Sequence, residues 1–159
     1  MNRQQHPIIA KEGWPFLWLA AMVAGLTSVY SGYLAIPLWL IFIFVLQFFR
    51  DPPRVTIEGD SSVSAPADGR VIVIDEAEDP YTKQSCLKIS IFMNVFNVHS
   101  NRMPVSGIVD VKHYYPGSFF NAALDKASDS NERNAQLLTT HHGHRATGVQ
   151  LAGFIERRI

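Results

Sequence analysis

Hydrophobic and polar positions fall along this chain in two regimes. From Gly13 to Phe49, 37 consecutive residues include no Asp, Glu, Lys, Arg or His. A helix needs about 20 apolar residues, usually 17 to 25, to cross the hydrocarbon core of a bilayer. The block is too long for one comfortable crossing and just long enough for two. Its natural break is Ser31-Gly32, flanked by Tyr30 and Tyr33, which predicts two helices over 14–30 and 33–49. Trp14, Tyr30 and Tyr33 suit interfacial aromatic belts, whereas Trp39 falls deep for one. A cleaved signal peptide, with an apolar core of about 7 to 15 residues, fits the block poorly. A single tilted helix kinked at Pro37 is the other reading, and it would put the rest of the chain on the opposite face.

After Arg50 the pattern shortens. Asp51-Pro52-Pro53-Arg54 reads as a stiff linker, because consecutive prolines block helix continuation and hold the chain extended. Strands are predicted at Val71–Ile74 behind the Asp68-Gly69 turn, at Leu87–Phe92, at Ile108–Tyr114 behind Ser106-Gly107, and at Val149–Ile155 with Gly153 inside it. Phe119–Gln136 reads as a short helix followed by a polar loop. The expected fold is a mostly β, barrel- or sandwich-like α+β soluble domain over 51–159, joined to an N-terminal α-helical transmembrane hairpin within 1–50.

Charge refines this picture. The whole chain of 159 residues is neutral, with 14 Lys+Arg against 14 Asp+Glu, which argues against nucleic acid as a partner. The single Cys gives no sign of an oxidising compartment. Arg3 and Lys11 lie before the apolar block, Arg50 and Arg54 after it, and its central turn has no cation. Two helices would therefore keep both ends, and the domain beyond, on the cytoplasmic face of the cell (inner) membrane.

Three runs carry candidate chemistry. The first is Ala65-Pro66-Ala67-Asp68-Gly69-Arg70, a tight turn entering a strand. The second is Asn97-Val98-His99-Ser100-Asn101-Arg102-Met103-Pro104, and the third extends from Gly117-Ser118-Phe119-Phe120-Asn121-Ala122 through Asp125-Lys126-Ala127-Ser128 to Asn131-Glu132-Arg133-Asn134. Asp68 alone reads as a turn former capping its own backbone. His99 alone reads equally as a structural or a catalytic imidazole. An Asp and a His at strand ends can also meet as an oriented acid–base pair.

Together with Phe48-Phe49-Arg50-Asp51-Pro52 and the double-span N-terminus, these runs resemble the short form of phosphatidylserine decarboxylase from about Gly13 onward. The resemblance implies a pyruvoyl-dependent carboxy-lyase made as a zymogen. In that family a Ser following a Gly attacks the preceding peptide bond, and the Ser becomes a pyruvoyl group on a small subunit. A Schiff base with the substrate amine then lets phosphatidylserine lose CO2 to give phosphatidylethanolamine. The implied partners are the phospholipid, the membrane and the small pyruvoyl-bearing subunit; a homo-oligomer is left open. Asp68 matches the acid that drives self-cleavage, and His99 the first His of a His-x-x-His-x-Pro stretch tied to decarboxylation. Arg102, Asn121, Lys126 and Arg133 are the implied substrate-binding residues.

Two departures from the family pattern stand out. Arg102 occupies the place of the second His, and it cannot accept a proton at neutral pH. Either His99 covers both duties or another base serves self-cleavage. The chain's one Gly-Ser pair, Gly117-Ser118, matches the family's Pro-Gly-Ser-Phe segment rather than its processing site. The 159 residues thus read as a truncated form, expected to be inactive alone.

Other signals are weaker. His141-His142-Gly143-His144, with His113, invites a metal reading, but adjacent His residues in a polar loop rarely converge on one ion, so no metal is expected. Cys86 reads as a small core residue. A non-catalytic, membrane-tethered carrier or scaffold module is the competing function. The carrier version needs a Lys beside Met, which Lys83, Lys88, Lys112 and Lys126 lack.

Overall fold

The computed structural model describes residues 7–54, 59, 62–119 and 130–153. Its chain divides into two compact units: residues 1–55 with 93–101, and residues 56–92 with 102–159.

In the first unit a 3-10 turn, Lys11–Gly13, leads into α1 (Trp14–Tyr30), and α2 (Gly32–Phe48) follows. The chain breaks at Ser31, whose extended backbone (φ −158°, ψ 113°) separates the helices. The second helix therefore begins and ends one residue earlier than the pattern predicts, and the single kinked helix is not what forms. Pro37 lies inside α2 without ending it. The two helices make an antiparallel hairpin. Ala24 and Ala35 are buried, and small residues of this kind let helix backbones approach. Trp39 Nε1 donates to Ser28 Oγ at 3.2 Å, giving the deep indole a partner on the facing helix. The open end is closed by backbone pairing of Ile9 with Arg50: the Ala10 amide donates to the Phe49 carbonyl (2.9 Å) and the Asp51 amide to that of Ile8 (2.6 Å). Phe49 stacks on Phe16 at 5.5 Å and also presses on Gly13, where a Cβ would come within 2.5 Å of the Phe49 side chain. Only glycine fits there.

Both helices are apolar around their whole circumference. Trp18, Leu26, Leu34, Leu40 and Ile43 are all exposed. The continuous segment Lys11–Tyr30 is long and apolar enough to cross a membrane, and α2 is a shorter apolar helix.

The second unit is mostly β. Strands β1 (Arg70–Glu78) and β2 (Ser85–Phe92) form an antiparallel pair, and β3 (Gly107–Tyr115), β4 (Arg133–Thr140) and β5 (Arg145–Leu151) form a second sheet in that order. Two expectations are corrected here. Arg133–Gln136, expected in a polar loop, begins β4, the central strand of its sheet, because its backbone is paired on both sides. The final strand starts at Arg145 and ends at Leu151, earlier than Val149–Ile155. The helix expected after Phe119 falls mainly outside the described residues. His141 to His144 is the β4–β5 hairpin turn. Gly143 takes the left-handed conformation (φ +80°) that such a turn requires, and Thr140 and His144 close it by backbone bonding. Among the described residues no group of His, Cys, Asp or Glu is placed to hold a metal ion. Cys86 is exposed on β2 rather than packed in a core, because the two-stranded ribbon is open on both faces.

Asp79 organises the β1–β2 turn and ties it to the other sheet. Its carboxylate accepts from the Tyr81 amide (2.9 Å), Thr82 Oγ1 (2.8 Å) and, on β5, Thr147 Oγ1 (2.6 Å). Burial pushes its pKa up, but the bonds from Thr147, Tyr81 and Thr82 outweigh this and hold it below its ordinary 3.8. A carboxylate with a depressed native pKa contributes stability that is present above its unfolded value and is lost as pH falls through the native one. Asp79→Asn is therefore expected to lower the urea midpoint at neutral pH and to flatten its fall between about pH 5 and pH 2. The check is strand circular dichroism of both proteins in detergent.

Candidate active site

In the β-rich unit, the first run and the end of the second are held together by backbone pairing. The Ser64 amide donates to the Pro104 carbonyl and the Arg102 amide to the Pro66 carbonyl, both at 2.8 Å. Two residues beyond Pro66, Asp68 lies half-buried in a bend at the mouth of β1. Gly69 is required at this point because its backbone packs on the Phe92 carbonyl, where a Cβ would collide. Arg70 then pairs with Phe92, so the Asp68 turn is pinned on both sides. Asp68 and Arg102 thus occupy neighbouring backbone segments that are 34 positions apart in sequence.

His99 belongs to the helical unit, in the loop Met93–Asn101. The loop is shaped by a local turn. Asn94 Oδ1 accepts from the Phe96 amide (2.9 Å), Asn97 Oδ1 from the Asn94 amide (2.8 Å), and the Asn97 amide donates to the Asn94 carbonyl (3.0 Å). Side chains from the end of α2 and the linker then clamp it. Gln47 Nε2 (3.3 Å) and Arg50 Nη2 (3.2 Å) both donate to the Phe96 carbonyl, and Arg54 Nη2 donates to that of Ser100 (3.2 Å). Phe48 stacks on the His99 imidazole with ring centres 4.2 Å apart and planes 24° from parallel. Val98 is buried beside it, and His99 Nδ1 is shut off from solvent. Stacking fixes the plane of the imidazole.

The third run is partly described. Asn121 and Lys126 lie outside the described residues. Gly117 packs so closely on the backbone of Ser130–Glu132 that a Cβ would come within 2.6 Å of it. The Ser118 amide donates to the Ser130 carbonyl (2.8 Å), and the Ser118 carbonyl accepts from the Glu132 amide (3.0 Å). Asn131 is buried and donates from Nδ2 to the Ala152 carbonyl at 2.8 Å. Arg133 opens β4 with its guanidinium 4.7 Å above the Tyr115 ring, a cation–π contact. Tyr115 in turn neighbours His113 and Tyr81 in an aromatic column.

The structure therefore gathers the Asp68 and Arg102 segments in one unit with Arg133, and seats His99 in the other. The sequence reading missed Gln47, Phe48, Arg50 and Arg54 as the clamp of the His99 loop, and Asp79 as the tie between the sheets. Asp79-Pro80-Tyr81-Thr82 carried a readable signal, an Asp two residues before the amide that it caps. The clamp had none, since its hydrogen-bonded partners are 46 to 49 positions apart and Phe48 is still farther from His99.

A family model described as phosphatidylserine decarboxylase matches residues 41–159. The chain is 56 % identical over 155 residues to the phosphatidylserine decarboxylase proenzymes of Burkholderia mallei and Burkholderia pseudomallei, and 54 % identical to that of Burkholderia cenocepacia. In each case the alignment covers 97 % of this chain and 72 % of the relative's length.

Phe48→Ala removes one face of the imidazole's seat, a contact worth about 0.5 to 1.5 kcal/mol. Amide hydrogen exchange of residues 93–101 is expected to quicken by up to roughly tenfold, with that of β3–β5 unchanged.

Proposed function

Because this chain belongs to the phosphatidylserine decarboxylase family, we propose that it serves in converting phosphatidylserine to phosphatidylethanolamine and CO2. The observation that supports this most is the family match through 41–159, which takes in the clamp residues as well as the Asp68, His99 and Arg133 runs. In this reading residues 1–50 are the membrane anchor, with α1 and α2 crossing as a hairpin, and residues 51–159 form a sandwich-like domain on the cytoplasmic face of the inner membrane. The absence of cations between the helices, against Lys11 before them and Arg50 and Arg54 after them, supports that orientation. A lipid substrate supplies the reason for the anchor: its headgroup is met at the surface, and its acyl chains stay in the bilayer.

Ser118 is a poor source for a pyruvoyl group, since the amide of its own Gly-Ser peptide is bonded to Ser130 and Gly117 is packed on neighbouring backbone. A separate, small pyruvoyl-bearing chain is the partner proposed here. The group would supply an electron sink for the pair left behind when the carboxylate departs. The donor set of this chain suits such chemistry. Asp68, half-buried in a fixed turn, is the acid assigned to self-cleavage. His99, its plane set by Phe48, is the group assigned to move a proton during decarboxylation. Arg102 stays charged at neutral pH and therefore binds rather than relays, offering a two-pronged contact to the lipid phosphate or the substrate carboxylate. Asn121, Lys126 and Arg133 complete the proposed headgroup contacts.

The complete protein, reconstituted in phosphatidylserine vesicles, is expected to release labelled CO2 from carboxyl-labelled lipid; failure to do so rejects the reading. Asp68→Asn should leave the precursor as one band on a denaturing gel. His99→Gln should lower turnover by roughly 10²- to 10⁴-fold, and the same gel shows whether His99 also serves the cleavage. In right-side-out membrane vesicles the domain beyond residue 51 should resist external protease, and digestion there would overturn the hairpin orientation.

A further inference from the structure

The Met93–Asn101 loop has features of an element built to touch lipid. Phe96 at its tip is 63 % exposed, yet its ring meets Phe44 of α2 edge-on, with centres 6.4 Å apart. Phe44 lies four residues before the end of α2, about 6 Å back along the helix axis at 1.5 Å per residue. A residue touching Phe44 therefore reaches past the helix end, toward whatever surrounds the apolar body of the hairpin. Phe44 is itself 41 % exposed, so the two rings form one continuous apolar surface with the outside of α2.

The loop's polar groups are arranged for such a place. Entering the interface with an unpaired amide or carbonyl is costly. Here the Asn94 and Phe96 amides are capped by side-chain oxygens from within the loop, and the Phe96 carbonyl receives Gln47 and Arg50. Arg50, bonded at the tip of the loop to the Phe96 carbonyl, and Arg54, bonded near its end to that of Ser100, place their cationic groups at the same end of the hairpin, where lipid phosphates would lie.

We propose that Met93–Asn101 is an interfacial loop whose Phe96 inserts into the phospholipid layer beside the end of α2, with Arg50 and Arg54 at phosphate level. This rests on the reading of α1 and α2 as a membrane hairpin. Its consequence is that His99, three residues on and stacked against Phe48, is held at headgroup depth by the anchor itself.

The single Cys of these 159 residues allows a direct test on the complete protein, in which any further Cys is replaced by Ser. A fluorescent nitrobenzoxadiazole dye is attached at native Cys86, or at Phe96→Cys or Leu40→Cys in a Cys86→Ser background. Each protein is placed in phosphatidylcholine–phosphatidylglycerol vesicles containing lipids spin-labelled near the headgroup or near the chain end. The Phe96 dye is expected to show blue-shifted emission and several-fold stronger quenching by the shallow label than the Cys86 dye. The Leu40 dye should respond most to the deep label. Emission and quenching at Phe96 equal to those at Cys86, with Leu40 still quenched, overturn the interfacial loop alone. Loss of quenching at Leu40 overturns the membrane hairpin on which it rests.

Discussion

The Phe96 carbonyl accepts hydrogen bonds from two side chains, and much of the arrangement around His99 follows from that oxygen. Gln47 and Arg50 reach it from the end of α2, Arg54 reaches the Ser100 carbonyl from the linker, and Phe48 fills the space between with its ring on the imidazole. A hydrogen bond from a charged group contributes up to roughly 1.5 to 3 kcal/mol, and less where water competes, as at the solvent-exposed bond from Arg50. No one of these contacts dominates. Their joint effect is to give a loop without regular secondary structure one conformation, set by an apolar helix pair. The helix pair thereby sets the seat of His99 as well as its own packing.

The β-rich unit reaches order by other means. Among the described residues its two sheets bury few side chains; Ala135, Leu138 and Ala152 are the apolar ones, and Asp79 and Asn131 the polar ones. Polar ties carry the remaining specification. Asp79 joins the β1–β2 turn to Thr147, and Asn131 joins the Ser118 bridge to the Ala152 carbonyl. Each satisfies its own hydrogen-bonding groups while fixing a distant piece of chain, so removing one partner strands the others. The Asp68 turn is fixed in the same manner, by backbone pairing to 102–104 and by Gly69 against Phe92.

How much of this was legible depends on how local the cause is. The two helices were readable because an uncharged run of that length has few alternatives, and the Tyr-flanked Ser31-Gly32 marked the break. Strands β1 to β3 were readable from their apolar content and the turn residues before them. Strand β4 was not. It lies in the centre of its sheet, with Ala135 and Leu138 both buried three positions apart, a spacing that a search for alternation passes over. The register shift between Val109 and Val111 on its neighbour has no local signature either. For the site, the residue types and their runs were legible through family resemblance. The seat of His99 was not, because it is made by Gln47, Phe48, Arg50 and Arg54, distant in sequence, which look from the sequence like a helix end and a positive flank.

The brevity of the two helices has one more consequence. At 17 residues each and 1.5 Å per residue they are about 25 Å long, while bilayer hydrocarbon is about 30 Å thick. Backbone pairing at Ile9–Arg50 and the Trp39–Ser28 bond tie the pair together at both levels, so it cannot lengthen by sliding. In the proposed membrane setting, a bilayer around so short a hairpin would relieve the mismatch by pinching inward, and lipids next to it would sit lower than those in the bulk. The enzyme would then work in a shallow dimple of its own making, whose walls present headgroups sideways to the His99 loop.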